Sequence, residues 1–311
     1  MRARRDSAPS RPLLAPDLMA RVRQIQIRTH RLVSSALQGA YRSNFRGAGI
    51  EFEEVRPYLP GDEVRSIDWN VTARTGAPHI KTYSEDRQLI LQFLVDTSRS
   101  MDFGCGEKSK REAAAEVCAL LSFVAAAQQD QVGLTLFAAE CGLHLAPDRG
   151  HRHVLRVVRE VMAAPAGGAG SSLTAVLEHQ LRRLKRRALV FLVSDFLGAA
   201  DEPWDGVLGR LARRHDVIAV RVYDPLEEEL PPAGMLLLED LESGRTLEVD
   251  TDSARVRAAW RDAAAARRAA LLATLRRAQV DLVDVGTTED VADPLRRLFH
   301  LRARRGGRGS G

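Results

Sequence analysis

From residue 89 onward, short apolar segments alternate with segments of helical pattern, and this alternation limits the possible folds more than any other feature of the sequence. Each apolar segment has six or seven residues, which is too short for a typical helix but suits a strand buried on both faces. These segments are residues 89–95, 132–137, 188–194 and 216–222. The helical patterns that separate them lie near 109–128, 152–163, 172–186 and 204–214. The alternation predicts an α/β fold: a doubly wound, open and mostly parallel sheet with helices on both faces.

Two parts of this region depart from the alternation. A short strand near 142–145 is predicted to return beside the strand that precedes it. Two apolar runs within residues 235–250 flank Glu242-Ser243-Gly244, which predicts a hairpin insertion. A long Ala- and Arg-rich helix over 253–278, a strand over 280–285 and a short helix to about 300 complete the region.

The chain of 311 residues is 45% apolar, so it can bury one large core or two modest ones. We divide it into four parts by composition and pattern. They are a disordered basic start over 1–15, an N-terminal helix and extended charged segment over 16–87, the α/β domain with its hairpin over 88–300, and a basic Gly-rich tail over 301–311.

Residues 16–40 carry apolar side chains at helical spacing, with arginines on the other faces. Leu18, Val22 and Ile25 begin this stripe, and the pattern predicts an amphipathic helix that ends at Gly39. The apolar stripe has two interpretations, packing on the rest of the protein or contact with a membrane surface. We expect packing.

Residues 47–76 alternate charges of both signs with apolar side chains, so we predict an extended, partly buried segment with a turn at Pro60-Gly61. Charges removed from water need partners, which predicts an ion-pair network. A functional carboxylate cluster is the other interpretation. The acids are Glu53, Glu54, Asp62 and Asp68, and the arginines are Arg56, Arg65 and Arg74.

Composition excludes several classes of protein. No apolar stretch approaches the roughly 18 residues of a membrane span, and the basic start has no apolar run of a secretory signal behind it, so we predict a cytoplasmic protein. Three cysteines at unrelated spacings indicate reduced thiols. The formal charge of +5 is concentrated at the two ends, which is typical of solubilising tails rather than of specific nucleic-acid binding.

Polar side chains follow two of the predicted strands directly. Asp96, Ser98 and Ser100 come after the strand over 89–95, at alternating positions. Hard oxygen ligands of this kind are the ones that magnesium and manganese select, although Asp and Ser are also ordinary turn and helix-cap residues. Asp195 follows the strand over 188–194 in the same way. Ligands of open α/β sheets bind beyond the carboxyl ends of the strands, so a metal site at this edge is predicted.

A Gly- and Ser-rich loop, Gly167 to Ser172, precedes a predicted helix. Its hydroxyls either approach the same crevice or cap the helix. Together, D-x-S-x-S after a first strand, this loop, and Ser-Asp after a later strand resemble the metal-ion-dependent adhesion site of von Willebrand factor A-type domains, which are Rossmann-like. The resemblance covers roughly residues 88–300.

The resemblance to the adhesion site implies a role for each matching residue. Ser98 and Ser100 would bind a divalent cation, Mg²⁺ or Mn²⁺, directly, and Asp96 and Asp195 would bind it directly or through water. Ser171 would fill the position usually held by threonine. Serine keeps the hydroxyl but lacks the methyl group that helps to fix the rotamer, so this departure from the pattern implies a less firmly held ion.

The segment before the first strand supports a second resemblance. Residues 49–74 read G-x-E-F-E-E-V-R-x-Y-x-P-G-D-x-V-R-x-I-D-W-x-x-x-A-R, which is similar to the signature of the bacterial domain-of-unknown-function family fifty-eight. This resemblance extends from about residue 16 to 300. It implies a MoxR-type AAA+ ATPase as a partner, with which such proteins act in the assembly or maturation of client proteins.

Two classes of function follow from these features. We favour a metal-dependent protein-binding module in which the carboxylate of a partner completes the coordination of the ion. The alternative is a metal-dependent hydrolase of phosphate esters or nucleotides. No nucleophile-and-base pair stands out, because His144, His151 and His153 are predicted to be surface residues. Gly104 to Ser109 resembles a phosphate-binding loop, but Glu107 stands where that motif has glycine.

Overall fold

The computed structural model describes residues 15–32, 37–39, 41, 51–60, 62–63, 66–84, 89–165, 167, 171–199, 202–241 and 244–306. The predicted basic start before Ala15, the end of the predicted tail after Gly306 and most of the glycines of the loop before Ser171 lie outside these residues.

The centre of the molecule is a six-stranded sheet. Its strands are β3 (Ile90–Asp96), β4 (Gln131–Phe137), β5 (Cys141–Asp148), β6 (Leu189–Ser194), β7 (Asp216–Tyr223) and β10 (Asp281–Gly286). Their order across the sheet is β10-β7-β6-β3-β4-β5. All neighbouring pairs are parallel except β4 and β5, so the predicted returning strand is an antiparallel edge strand. The predicted α/β class with a mostly parallel sheet is confirmed.

Helices cover both faces of this sheet, and successive residues of the central strand β3 point into different cores. Leu91, Phe93 and Val95 belong to one apolar core, and Ile90 and Leu94 belong to the other, as the alternation of a strand requires. The helices are α3 (Lys110–Ala127), α4 (His151–Ala163), α5 (Leu173–Arg183), α6 (Asp205–Arg214), α7 (Pro225–Glu228), α8 (Ala254–Arg277) and α9 (Ala292–Gly306).

Helix α3 begins with a capping box and is buried along most of its length. The Ser109 hydroxyl accepts the Glu112 amide, and the Glu112 carboxylate accepts the Ser109 amide, so two free donors of the first turn are satisfied. Alanines on every side of this helix are buried, among them Ala113, Ala114 and Ala115. Small side chains therefore let α3 pack closely between the sheet and its neighbouring helices.

The N-terminal helix α1 (Ala15–Leu32) packs on the α/β domain, as predicted. Val22 and Ile25 are buried in the same core as β3, and Arg28 lies 2.7 Å from Glu116 of α3. Residues 37–39 are also helical, and the rest of the predicted helix, residues 33–36 and 40, lies outside the described residues.

The charged segment differs in part from the extended structure predicted for it. β1 (Glu51–Pro57) and β2 (His79–Ser84) form an antiparallel pair, but Trp69–Thr75 form a short helix, α2. Asp68 accepts the amides of Asn70 and Val71 as the N-cap, and Gly76 ends the helix at a φ of 73°. These capping interactions outweigh the alternating pattern on which the extended prediction was based.

The charges of this segment are partly paired. Arg56 contacts both carboxylate oxygens of Asp62 at 2.8 Å, so one pair of the predicted ion-pair network is present. Asp68 is also the N-cap of α2. The side chains of Glu53, Glu54 and Arg65 lie outside the described residues.

The predicted hairpin insertion is present as β8 (Met235–Glu239) and β9 (Thr246–Asp250), which pair antiparallel outside the main sheet. α9 continues to Gly306, so residues 301–306 of the predicted tail are helical. Among the described residues, no helix combines the length and the apolar character that crossing a membrane requires.

Candidate functional site

Asp96 lies at the carboxyl end of β3, where the sheet gives way to a turn. Its side chain is completely buried, and both carboxylate oxygens accept hydrogen bonds. The amide of Ser98 donates to Oδ1 at 2.8 Å, and the hydroxyl of Ser194, at the end of β6, donates to Oδ2 at 2.7 Å. The predicted turn role of Asp96 is therefore real, and it leaves lone pairs on both oxygens.

Ser98 and Ser100 bring two hydroxyl groups together beside Asp96. Both residues are buried, and their Oγ atoms lie 3.1 Å apart. Ser98 precedes a 3-10 helix, Arg99–Asp102, yet its side chain makes no capping hydrogen bond. The helix-cap interpretation therefore fails for Ser98, and its hydroxyl faces another hydroxyl instead of a backbone amide.

The loop that carries Ser171 is held against the same turn. The Gly167 amide donates to the Thr97 carbonyl at 2.8 Å, and a Cβ at position 167 would lie 2.4 Å from the Cβ of Ala138 and 2.9 Å from that carbonyl oxygen. Only glycine permits so close an approach. The Ser172 amide donates to the Ala138 carbonyl at 2.8 Å, so the loop is fixed at both ends.

The two serines of the loop have different surroundings. The Ser172 hydroxyl caps α5 by accepting the Ala175 amide at 3.2 Å, and it donates to Glu202 at 2.7 Å. Ser171 is half-buried, and its hydroxyl has no hydrogen bond to any residue that the structure describes. Helix capping thus accounts for Ser172 and leaves the Ser171 hydroxyl available.

Asp195 follows β6 directly and has a buried ammonium group as its partner. Lys110 Nζ lies 2.6 Å from Asp195 Oδ2, and the Lys110 side chain is 0% exposed. The same ammonium contacts Glu227 of α7. The Leu197 amide donates to Asp195 Oδ1 at 3.1 Å. Sequence reasoning did not assign Lys110 and Glu227 to the site, and it gave Ser194 no role beyond the Ser-Asp pattern. A lysine at the start of a helix rich in alanine was the available signal.

Burial and like charge shift the ionisation of these groups. Burial, together with the charge of Asp195, raises the pKa of Asp96 to about 6, although the hydrogen bonds from Ser98 and Ser194 act in the opposite direction. Burial also raises the pKa of Glu227 despite the neighbouring Lys110. Burial lowers the pKa of Lys110, but Asp195 and Glu227 outweigh that effect, so the pKa is raised and the lysine stays charged.

The oxygen atoms gathered at this site suit a hard divalent cation. In the described parts of the chain, no group of three His, Cys, Asp or Glu side chains is arranged to hold a metal ion. The oxygens here are of mixed type, carboxylates and hydroxyls, which magnesium and manganese accept. Two carboxylates, Asp195 and Glu227, contact one buried ammonium, and the buried Asp96 adds a third acid that is sensitive to the charge of Asp195, so additional positive charge is favourable there.

The features that suggested enzymatic or nucleotide-binding roles have structural partners. Asp224 Oδ2 accepts the Cys105 amide at 2.9 Å, so a carboxylate lies where a phosphate-binding loop would hold phosphate. His153 Nε2 lies 2.7 Å from the Val132 carbonyl, and His144 Nδ1 lies 2.9 Å from the Thr135 hydroxyl. These contacts agree with a structural role for the loop and for both histidines.

The chain is similar to several known proteins. An uncharacterized protein of Mycobacterium tuberculosis, Rv1480, is 35% identical over 295 residues, which cover 94% of this chain and 91% of that protein. The structure is similar to that of the conserved hypothetical protein BatB from Bacteroides thetaiotaomicron, with a TM-score of 0.48, 13% identity, and coverage of 70% of this chain and 99% of that one. It is also similar to a von Willebrand factor type A structure from Catenulispora acidiphila, with a TM-score of 0.40, 11% identity, and coverage of 72% and 43%.

The family resemblance noted in the sequence is confirmed by a direct match. Residues 54–270, more than half of the chain, match the family described as "Protein of unknown function DUF58". This range includes the end of β1 from residue 54, the turn after β3, the Ser171 loop and the end of β6. The chain therefore belongs to the DUF58 family.

Proposed function

We propose that the chain is a metal-dependent protein-binding module with a divalent cation site, for Mg²⁺ or Mn²⁺, at the carboxyl ends of β3 and β6. The proposal rests on one observation. The buried hydroxyls of Ser98 and Ser100 lie 3.1 Å apart, and the Ser98 hydroxyl makes no helix-capping hydrogen bond. They lie beside Asp96, an acid whose pKa is raised by burial and by a second acid, Asp195. A cation would relieve that repulsion and use the hydroxyl oxygens as ligands.

The proposed ligands follow from these surroundings. Ser98, Ser100 and Asp96 would hold the ion, with Ser171 completing the set from the adjacent loop and Asp195 acting directly or through water. Once bound, the ion would offer an open coordination position to a carboxylate of another protein. Ser98, Asp96 and Ser194 are already connected by hydrogen bonds, so little side-chain ordering would remain to be done on binding.

For the partner we propose a MoxR-type AAA+ ATPase, acting with this chain in the cytoplasm on client proteins that are assembled or matured. Membership of the DUF58 family and the resemblance of the D-x-S-x-S turn to an adhesion site support this proposal. Binding is preferred to hydrolysis because His153 contacts the Val132 carbonyl and His144 contacts the Thr135 hydroxyl, which is fully buried and so cannot meet a substrate as a nucleophile.

A titration with Mn²⁺ tests the site. Ser98→Ala is expected to weaken Mn²⁺ affinity by about tenfold or more, because it removes an oxygen ligand and the contact that orients Ser100. Ser122→Ala is the matched control, since Ser122 is also a buried serine whose hydroxyl has no partner in the described structure, but it lies inside α3. Isothermal calorimetry gives both affinities. Equal affinity in wild type and Ser98→Ala would exclude the proposed ligand set.

The same variants test the partner. A purified MoxR-type ATPase is expected to bind wild-type protein in Mn²⁺ or Mg²⁺, and to lose binding in chelator and with Asp96→Asn/Ser98→Ala. Asparagine has the size of the Asp96 side chain and can still accept the backbone amide of residue 98. The circular dichroism spectrum of the double variant should therefore match that of wild type. An interaction that persists in chelator and in the folded double variant would place the interface elsewhere on the chain.

A further inference from the structure

Lys110 is a buried lysine at the first helical position of α3. Its side chain is 0% exposed, and a lysine buried without counter-charges loses its proton rather than remain charged. Here the carboxylates of Asp195 and Glu227 both contact the Lys110 ammonium and supply those counter-charges. The molecule therefore contains a buried positive charge inside the cluster of acids that forms the candidate metal site.

Lys110 uses an oxygen that the metal site would also need. Asp195 Oδ2 accepts from Lys110 Nζ at 2.6 Å, and Asp195 Oδ1 accepts from the Leu197 amide at 3.1 Å. Both oxygens of Asp195 thus already have a donor. A divalent ion that approaches Asp195 meets the ammonium, and two cations that share one carboxylate repel each other.

Glu227 provides the ammonium with a second partner. Its Oε1 contacts Lys110, and its Oε2 accepts the Asp224 amide at 3.1 Å. Glu227 is therefore held in place by the capping box of α7, independently of Asp195. If Asp195 turned toward a metal ion, Lys110 would keep a carboxylate partner and would not have to give up its charge.

We propose that Lys110 is a positioning residue of this site: a built-in cation that shares Asp195 with the divalent ion and lowers the affinity of the site for that ion. This inference rests on the proposed metal-binding function. The charge of Lys110 makes the site one that binds the divalent ion weakly and exchanges it readily. The inference also assigns Lys110 and Glu227 to the site, together with the five residues predicted from the sequence.

The variant that tests the proposal is Lys110→Met, which removes the charge and keeps the length of the side chain. Mn²⁺ affinity is expected to rise by about tenfold or more, because the ion no longer competes with an ammonium for Asp195. In chelator, the midpoint of thermal unfolding is expected to fall, because two buried carboxylates lose their partner. Mn²⁺ should then raise that midpoint by more than it does in wild type.

Lys108→Met is the matched control. Lys108 lies two positions away, and its ammonium contacts Glu116 at 2.9 Å and the Glu289 carbonyl at 2.8 Å instead of Asp195. Its removal lowers the net charge of the protein equally, so a general electrostatic effect would change Mn²⁺ affinity in both variants. The proposal expects the change with Lys110→Met alone. Lys110→Gln, which retains a hydrogen-bond donor, serves if Lys110→Met fails to fold.

The outcomes separate this proposal from the proposed function. If wild type binds Mn²⁺ and folded Lys110 variants bind it equally or more weakly, the competition is excluded and the metal site stands. If wild type does not bind Mn²⁺ but the Lys110 variants do, the competition is supported, and the proposed metal-dependent function is excluded for the wild-type chain. If neither binds while both are folded, both proposals are excluded.

Discussion

His215, at the end of α6, is a buried histidine whose ring nitrogens have no hydrogen-bond partner among the described residues. Burial lowers its pKa to about 4, with smaller contributions from Arg214 and Arg187. An unfolded chain with an ordinary histidine pKa near 6.5 takes up a proton that the folded protein does not. His215 therefore contributes a fall in the free energy of unfolding as the pH is lowered from about 6.5 toward 4, whereas Asp96, whose pKa is raised to about 6, contributes in the opposite direction.

His215→Phe is expected to remove most of this pH dependence. The aromatic ring fills a similar volume without a titrating group, so the variant should lose roughly 2 kcal/mol less stability than wild type between pH 6.5 and 4.5. Urea unfolding in chelator at both pH values measures the difference. The exposed His300 provides the control variant His300→Gln, and the same pH dependence in all three proteins would refute the assignment.

At the residue scale, part of the site could be predicted from sequence and part could not. Asp96 and Asp195 each follow a readily recognised strand, and parallel strands bring their carboxyl ends to one edge. Lys110 is 85 positions from Asp195 and 117 from Glu227. Nothing local indicates that these three side chains meet, because their contact depends on how α3 and α7 pack across the edge of the sheet.

At the scale of elements, the beginning of α5 depends on an acid from another part of the chain. Glu202 accepts the amides of Leu173 at 2.7 Å and Thr174 at 3.1 Å, and it also accepts the Ser172 hydroxyl. A carboxylate at a helix N-terminus satisfies free amides and interacts favourably with the helix dipole. Glu202 thereby fixes the helix that follows the Ser171 loop.

Glu202→Ala is expected to lower the free energy of unfolding by about 1–2 kcal/mol, since several amide donors lose their acceptor. Denaturant unfolding measures this change. Glu178→Ala is the control within α5, because the Glu178 side chain is 43% exposed and lies 3.6 Å from Arg182 and 3.8 Å from Arg210. Such surface pairs contribute about 0–1 kcal/mol. A loss no larger for Glu202→Ala than for Glu178→Ala would contradict the capping role.

The elements themselves were largely predictable, and the exception has a physical cause. Buried strands such as β3 and β6 are continuous apolar runs, which are hard to mistake in an alternating chain. Helix α2 was missed because its seven residues are too few to show a helical period. Its end signals, Asp68 and Gly76, were present in the sequence and indicated the helix better than the alternation of charges did.

At the scale of the whole molecule, α9 is attached to the edge of the sheet opposite the candidate site. Arg302 contacts both oxygens of Asp216, the first residue of β7, at 2.8 and 2.9 Å, and it lies 2.6 Å from Asp281, the first residue of β10. These contacts join the C-terminal helix to the amino ends of two strands. They are bidentate and mostly buried, which makes them stronger than surface ion pairs.

Arg302→Met is expected to lower the free energy of unfolding by about 2–3 kcal/mol, since it leaves two partly buried carboxylates without this partner, and to leave Mn²⁺ affinity unchanged. Arg305→Met is the matched control, because Arg305 also contacts Asp281 but its side chain is 71% exposed. Denaturant unfolding and calorimetry measure the two quantities. A large change in Mn²⁺ affinity with Arg302→Met would show that the two edges of the sheet are energetically coupled.

The distribution of the site along the chain has a consequence for synthesis. Asp96, Ser98, Ser100 and Lys110 all lie on one short stretch, but the Ser194 hydroxyl that binds Asp96 is 98 positions away from it. During synthesis, these four residues leave the ribosome long before β6 exists to pair with β3. The incomplete chain therefore holds Asp96, Ser98 and Ser100 without Asp195, and the proposed ion site can be completed only after β6 has been synthesised.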